Sequence, residues 1–180
     1  MIKTIQPLKH PHFIKPVEII YEQNGKEKRW EAVQAHDSVA VLLFHPQKDA
    51  FVLVKQFRPA LAMQHGFAFS YELCAGIVDK DKSLEQIAIE EVEEETGYRV
   101  EKIEKITSFF TSVGFAGSKQ TLFYAEVSKQ VAPGGGIDDE VIEVVHLPVA
   151  KAKEFMYDES KPKTPGLLFA LCWWFEQNSQ

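Results

Sequence analysis

Five glutamates crowd into the stretch EEVEEETG, residues 90–97: Glu90, Glu91, Glu93, Glu94 and Glu95. The spacing predicts a helix over Leu84–Thr96, and at about 100° per residue one arc of about 120° holds Leu84, Ile87, Ala88, Glu91, Glu94 and Glu95. An apolar stripe therefore turns acidic along its own length. A solvated face accounts for Glu90 and Glu93, whereas Glu91 and Glu95 continue the face that the first turns bury. Like charges three and four apart oppose a helix by about 0.2–0.5 kcal/mol per pair, carboxylates near its C-terminus meet the wrong end of the dipole, and desolvation adds to both. The neighbouring cations Lys80, Lys82 and Arg99 are few and flanking. A divalent cation that favours carboxylate oxygen, Mg2+ or Mn2+, suits the cluster best. Because Mg2+ usually shares its shell with waters and substrate phosphates, the cluster points to a phosphate-handling site.

Other polar residues say less by themselves. The segment GGGIDDE, residues 134–140, reads from composition as a hairpin loop with solvated acids Asp138, Asp139 and Glu140. Arg58 is a surface arginine or a planar fork for a phosphate or sugar. Glu72 is its partner, a ligand contact, or a solvated edge-strand acid. Ser112-Val113-Gly114-Phe115 reads as a turn. The six histidines, His10, His12, His36, His45, His65 and His146, show no pair at helical ligand spacing, which argues against zinc. Cys74 and Cys172 lie far apart with no Cys-x-x-Cys spacing and read as small buried hydrophobes in a reducing cytoplasm. Trp173, Trp174 and Phe175 read as packing groups.

The elements that must position these residues come from a chain of 180 residues, enough for one domain or one domain with a small appendage. Hydrophobic residues at 45% and charged residues at 26% exclude disorder, collagen and coiled coil. A net charge of −6 without any Lys/Arg block excludes non-specific grip on nucleic acid or anionic membrane. The N-terminus lacks the apolar run of a signal peptide, and LLFALCWWF near the C-terminus is too short to span a bilayer. Asn24-Gly25 between two β-prone runs predicts a hairpin at Val17–His36. SVAVLLF and AFVLVKQF predict a second pair of strands across the turn HPQKD. Arg58–Ser70 reads as a loop and Tyr71–Ala75 as a strand. Ser83 and Gln86 form a capping box for the acidic helix, and Gly97 stops it. VEKIEKITSFF, QTLFYAEV and VIEVVHLP are further strands, followed by helices over Val149–Tyr157 and about Gly166–Gln177. Short strands with three helices between and after them predict an α/β sheet protein.

Residues Gly76–Tyr98, GIVDKDKSLEQIAIEEVEEETGY, resemble the signature of the Nudix hydrolases, with Gly76, Glu91, Val92, Glu94, Glu95 and Gly97 in register. Two positions depart: Lys82 stands where the family has Glu, and Glu90 where it has Arg. The double reversal would preserve an ion pair with its ends exchanged. Outside the signature, HDSVAVLLF, LVKQFRPA, YELCAG, TSVGFAGSKQTLFYAEV and PGGGIDDEVIEVVHLP resemble the subgroup that hydrolyses nucleoside diphosphate sugars, the UDP-sugar and ADP-ribose pyrophosphatases. The resemblance implies a mixed sheet between helices. It assigns residues 1–37 to an N-terminal β-hairpin extension that mediates homodimerisation, and residues 38–180 to the hydrolase domain. It also implies Mg2+ held by Glu91, Glu94, Glu95 and the Ala75 carbonyl. Glu140, with Asp138, Asp139 and Glu94 behind it, is the implied base, and Arg58, Glu72, Ser112 and Gly114 are implied to lie near a nucleoside diphosphate sugar. The alternatives are a degenerate domain that senses a nucleotide sugar and a nucleoside triphosphatase. A calcium-stabilised structural site is disfavoured, since no EF-hand-like loop occurs.

Overall fold

Asn24 and Gly25, at φ 56° and 71°, make the tight turn between β1 (Lys15–Gln23) and β2 (Lys26–Gln34), which pair as a two-stranded sheet of their own. Positive φ at both central residues gives a turn whose twist matches that of the strands it joins. The computed structural model describes residues 2–11, 13–79, 81–137 and 140–179. After the hairpin come β3 (Ser38–His45), β4 (Ala50–Phe57), α1 (Pro59–His65), β5 (Phe69–Glu72), β6 (Cys74–Ile77) and α2 (Leu84–Thr96). The chain continues through β7 (Tyr98–Phe110), β8 (Lys119–Gln130), β9 (Ile142–Pro148), α3 (Val149–Tyr157) and α4 (Pro165–Gln177). Among the described residues no helix is long and apolar enough to cross a membrane.

The layering follows from β3. Val39 to Leu43 are each at most 1% exposed, the continuous apolar run of a strand covered on both faces. Val39, Val41 and Leu43 pack with Ile87, Ala88 and Val92 of α2, while Ala40 and Leu42 pack with Phe155 of α3 and Leu167 and Leu171 of α4. A mixed sheet thus lies between helices. Its strands run in the order β5-β4-β3-β8-β7, with β6 also on β3 and β9 also on β4. β3 and β8 are parallel, and the other pairings are antiparallel.

The feature that makes a site is a split. β3 and β4 pair only from Leu43↔Val52 to His45↔Ala50 and then diverge. Beyond that point β3 takes β6 on its free edge and β4 takes β5. The sequence reading of Tyr71–Ala75 as one strand is therefore corrected: Leu73 divides it, because each half follows a different neighbour. Arg58–Ser70 is not wholly loop either. It contains α1, with Pro59 at its first position and Gly66 closing it at φ 76°. Seven residues with none buried and no capping side chain leave no stripe for periodicity to reveal.

Candidate active site

α2 lies over the split sheet, and both of its ends are fixed as the sequence predicts. The Gln86 backbone N–H donates to Ser83 Oγ (3.2 Å) and the Ser83 N–H donates to Gln86 Oε1 (3.1 Å), the reciprocal capping box. Gly97 ends the helix at φ 72°. A Cβ at Gly97 would lie 2.1 Å from the Ala132 carbonyl oxygen, so only glycine lets the 131–136 loop approach. That loop covers the helix end: Gly135 N–H donates to the Glu95 carbonyl (2.8 Å) and Gly136 N–H to the Glu94 carbonyl (3.1 Å). Carbonyls that a helix terminus leaves unpaired are satisfied in this way. Gly135 and Gly136 thus serve as a cap, and Glu140 of the same loop lines the cleft.

The buried stripe of α2 consists of Ile87, Ala88, Val92, Glu95 and Thr96, with Glu91 and Glu94 half-buried at its flank. It is rotated toward Val92 relative to the arc drawn from the sequence. Glu95 is only 4% exposed. Its Oε2 accepts the Ala75 backbone N–H at 3.1 Å, and Oε1 lies 3.5 Å from Gln56 Nε2. Burial pushes its carboxyl up to about 8, against the bonds from the Cys74 thiol and Ala75, with the Glu91 and Glu140 carboxylates adding to the rise. Glu91 lies against Gly76, where a Cβ would stand 2.1 Å from the Glu91 carboxyl carbon. The residue type at 76 is thus fixed by the need to admit a carboxylate against the β6 backbone.

Glu91, Glu94, Glu95, Ala75, Arg58, Glu72 and Glu140 all line one cleft of about 630 Å3, together with Ser38, Gln56, Asp79 and Gln120. Arg58 and Glu72 form a two-pronged ion pair, with Nε to Oε1 and the second fork nitrogen to Oε2 both at 2.7 Å. The Glu72 carboxylate raises the Arg58 pKa, and its own side chain is 12% exposed. Ser112, at φ 51°, lines a second cavity of about 320 Å3 that shares Glu72, Ala75 and Gln120 with the cleft. Gly114 is not brought to either cavity; its carbonyl accepts the Trp30 indole N–H at 2.7 Å. Asp138 and Asp139 lie outside the described residues. Lys82 Nζ stands 2.6 and 2.8 Å from the two Glu90 carboxylate oxygens, so the reversed pair is formed, and Glu90 is not the merely solvated acid of the helical-face reading. Sequence reasoning missed Gln56, Ser38 and Gln120, because isolated polar residues on strands carry no spacing signal.

The donor set fits a hard divalent cation. The oxygens are carboxylate and backbone, and a buried Glu95 beside two further acids is relieved by positive charge. Among the described residues no three His, Cys, Asp or Glu side chains are already drawn together tightly enough to hold a metal alone.

The NUDIX domain family matches residues 34–166. Over 91% of this chain and 88% of its own length, the uridine diphosphate glucose pyrophosphatase of Bos taurus is 38% identical. A GDP-mannose pyrophosphatase of Klebsiella pneumoniae is 36% identical over 71% of this chain and 66% of its own. An ADP-ribose pyrophosphatase of Bacillus subtilis is 36% identical over 76% of this chain and 71% of its own. With the acids of EEVEEETG seated over a split mixed sheet, and with the family match spanning that sheet and its helices as far as the start of α4, the chain belongs to the Nudix family.

Proposed function

We propose that this protein hydrolyses the pyrophosphate bond of nucleoside diphosphate sugars, giving a nucleoside monophosphate and a sugar phosphate. The observation that carries the reading is the convergence of Glu91, Glu94, Glu95, Glu140 and the Arg58–Glu72 pair on one cleft. The names of the relatives support the substrate class. Glu91, Glu94, Glu95 and the Ala75 carbonyl would hold Mg2+, or Mn2+, whose chemistry here is to neutralise the pyrophosphate oxygens that otherwise repel a nucleophile.

The chain's own residues do the rest. Glu140 sits at the cleft beside the Ile137 N–H (3.4 Å from its Oε2) on a loop anchored to α2, and takes the proton of the attacking water. Asp138 and Asp139 are the next candidates for that base. Glu72 holds the Arg58 guanidinium plane, and the remaining Arg58 donors receive a phosphate oxygen. Glu95, kept in place by the Ala75 N–H and shielded from water, anchors the acidic group. The Lys82–Glu90 pair gives the two departures from the family signature a structural role, which weakens the reading of a degenerate sensor. We further place the protein in the reducing cytoplasm, where the buried Cys74 and Cys172, which is exposed and not the buried hydrophobe of the sequence reading, would both stay reduced, and as a homodimer joined through the hairpin.

Phosphorus NMR of UDP-glucose, GDP-mannose and ADP-ribose with the pure protein and Mg2+ tests the activity. UMP with glucose 1-phosphate, GMP with mannose 1-phosphate, or AMP with ribose 5-phosphate is the expected result. Intact diphosphates with bound ligand would replace the enzyme reading by the sensor; hydrolysis of nucleoside triphosphates alone would replace the substrate class.

A further inference from the structure

We infer that the second cavity, walled by β5, β7, β8 and the first turn of α4, receives the glycosyl group of the substrate, and that Gly166 sets its size. The inference rests on the reading of the protein as a nucleotide-sugar hydrolase. At about 320 Å3 the cavity stands at the lower end of the roughly 300–1,000 Å3 of small-molecule pockets. It takes one ring, not a whole nucleotide sugar. Because it shares Glu72, Ala75 and Gln120 with the acidic cleft, a ring seated there stays joined to a pyrophosphate lying over Glu91 and Glu95.

Its polar wall is rich in acceptors. The amide nitrogen of Gln120 is committed to Ser38 Oγ at 3.1 Å, which leaves Oε1 directed toward Gly166. The Glu72 carboxylate, nearly shielded from water and held by Arg58, is the second acceptor. Sugar hydroxyls are donors spread around a ring, and Phe109 offers an apolar wall for the ring's C–H face. Gly166 is buried at the start of α4, and a Cβ there would stand 3.0 Å from Gln120 Oε1 and 3.4 Å from Phe109 Cζ. A methyl displaces the Gln120 amide by a few tenths of an ångström, while a longer side chain occupies the pocket. Any residue but proline is a better helix former than glycine, so loss of helix is not the expected effect.

The test compares UDP-glucose with the P2-methyl ester of UDP, which keeps the pyrophosphate and lacks the sugar, on wild type, Gly166→Ala and Gly166→Leu. Wild type is expected to favour UDP-glucose in kcat/KM by about tenfold or more. Gly166→Leu should lose that preference, its kcat/KM falling by about tenfold more on UDP-glucose than on the methyl ester, and Gly166→Ala should fall between. Equal losses on both esters in a variant that melts like wild type, or no loss on either, would overturn the assignment. If the leucine variant does not fold, the alanine variant decides by the same ratio. If wild type turns over neither ester, the hydrolase reading falls, and calorimetric titration of both esters with Mg2+ judges the pocket alone. Tighter binding of UDP-glucose in wild type but not in Gly166→Leu upholds it, and equal affinities overturn it.

Discussion

At Glu95, burial and charge oppose one another. The carboxylate is nearly out of water and its pKa is pushed up to about 8 by that burial. In the metal-free protein the native state therefore keeps a proton that the unfolded chain sheds above its ordinary value near 4.5, so stability falls as pH rises through that window. Glu95→Gln removes the charge with little change of shape. Without metal at pH 8 it should melt at or above the wild-type temperature, while losing about 100-fold or more in turnover. A lower melting temperature would make the carboxylate a structural group. The Lys82–Glu90 pair belongs to the same scale but to a smaller energy. Its side chains are 44% and 36% exposed, so a double-mutant cycle in urea should give a coupling of about 0.5 kcal/mol. Lys82→Glu with Glu90→Arg should retain more activity than the product of the single losses, and failure to do so would remove the pair's supporting role.

Elements were legible in proportion to how local their causes are. Ser83, Gln86 and Gly97 mark α2 in the sequence because caps and stops act within a few residues, and the hairpin is marked by Asn24-Gly25 for the same reason. The division at Leu73 was hidden because it arises from the divergence of β3 and β4, a property of their partners. The role of Gly134–Gly136 was hidden likewise: three glycines read as a free loop until the α2 carbonyls that Gly135 and Gly136 cap are seen. The helix acids Glu91, Glu94 and Glu95 were visible by spacing, Glu72 and Glu140 through the family resemblance, and Gln56 and Gln120 by neither. A second network shows the same limit. Lys48 Nζ, Tyr98 OH and His146 Nε2 lie within 2.7–3.0 Å of one another, drawn from a turn, β7 and β9, with His45 of β3 alongside. Burial first, then Lys48 and His45, holds the His146 pKa below its usual 6.5. The neutral ring accepts at Nε2 in the fold, while the unfolded chain takes up a proton near pH 6.5. This contribution to stability is full above that pH and lost as pH falls toward the lowered value. Between pH 7.5 and 5.5 the urea midpoint of wild type should fall relative to that of His146→Gln, and parallel curves would exclude the histidine as the titrating group.

At the scale of the whole molecule the hairpin presents apolar surface that calls for a cover. A two-stranded ribbon is marginal alone, and this one exposes Ile19 at 46%, Ile20 at 56% and Trp30 at 52%. It is hydrogen-bonded to the loop between β7 and β8 by Trp30 to Gly114 and by the Val33 N–H to Phe115, and that loop exposes Val113 at 77% and Phe115 at 57%. Single exposed apolar residues are ordinary; two adjoining segments that both present them mark an interaction surface. A second copy of the chain, meeting hairpin with hairpin, would cover both by the two-fold symmetry that most homo-oligomers use. Light scattering after size exclusion should then give about twice the chain mass of 20.5 kDa. Ile19→Glu sets a charge on the exposed face opposite Trp30 without touching the sheet or α2, and should yield one-chain particles with an unchanged circular dichroism spectrum. Wild type at one chain mass, even at high concentration, would overturn the hairpin-to-hairpin dimer, and a variant that keeps twice the chain mass would move the contact away from Ile19.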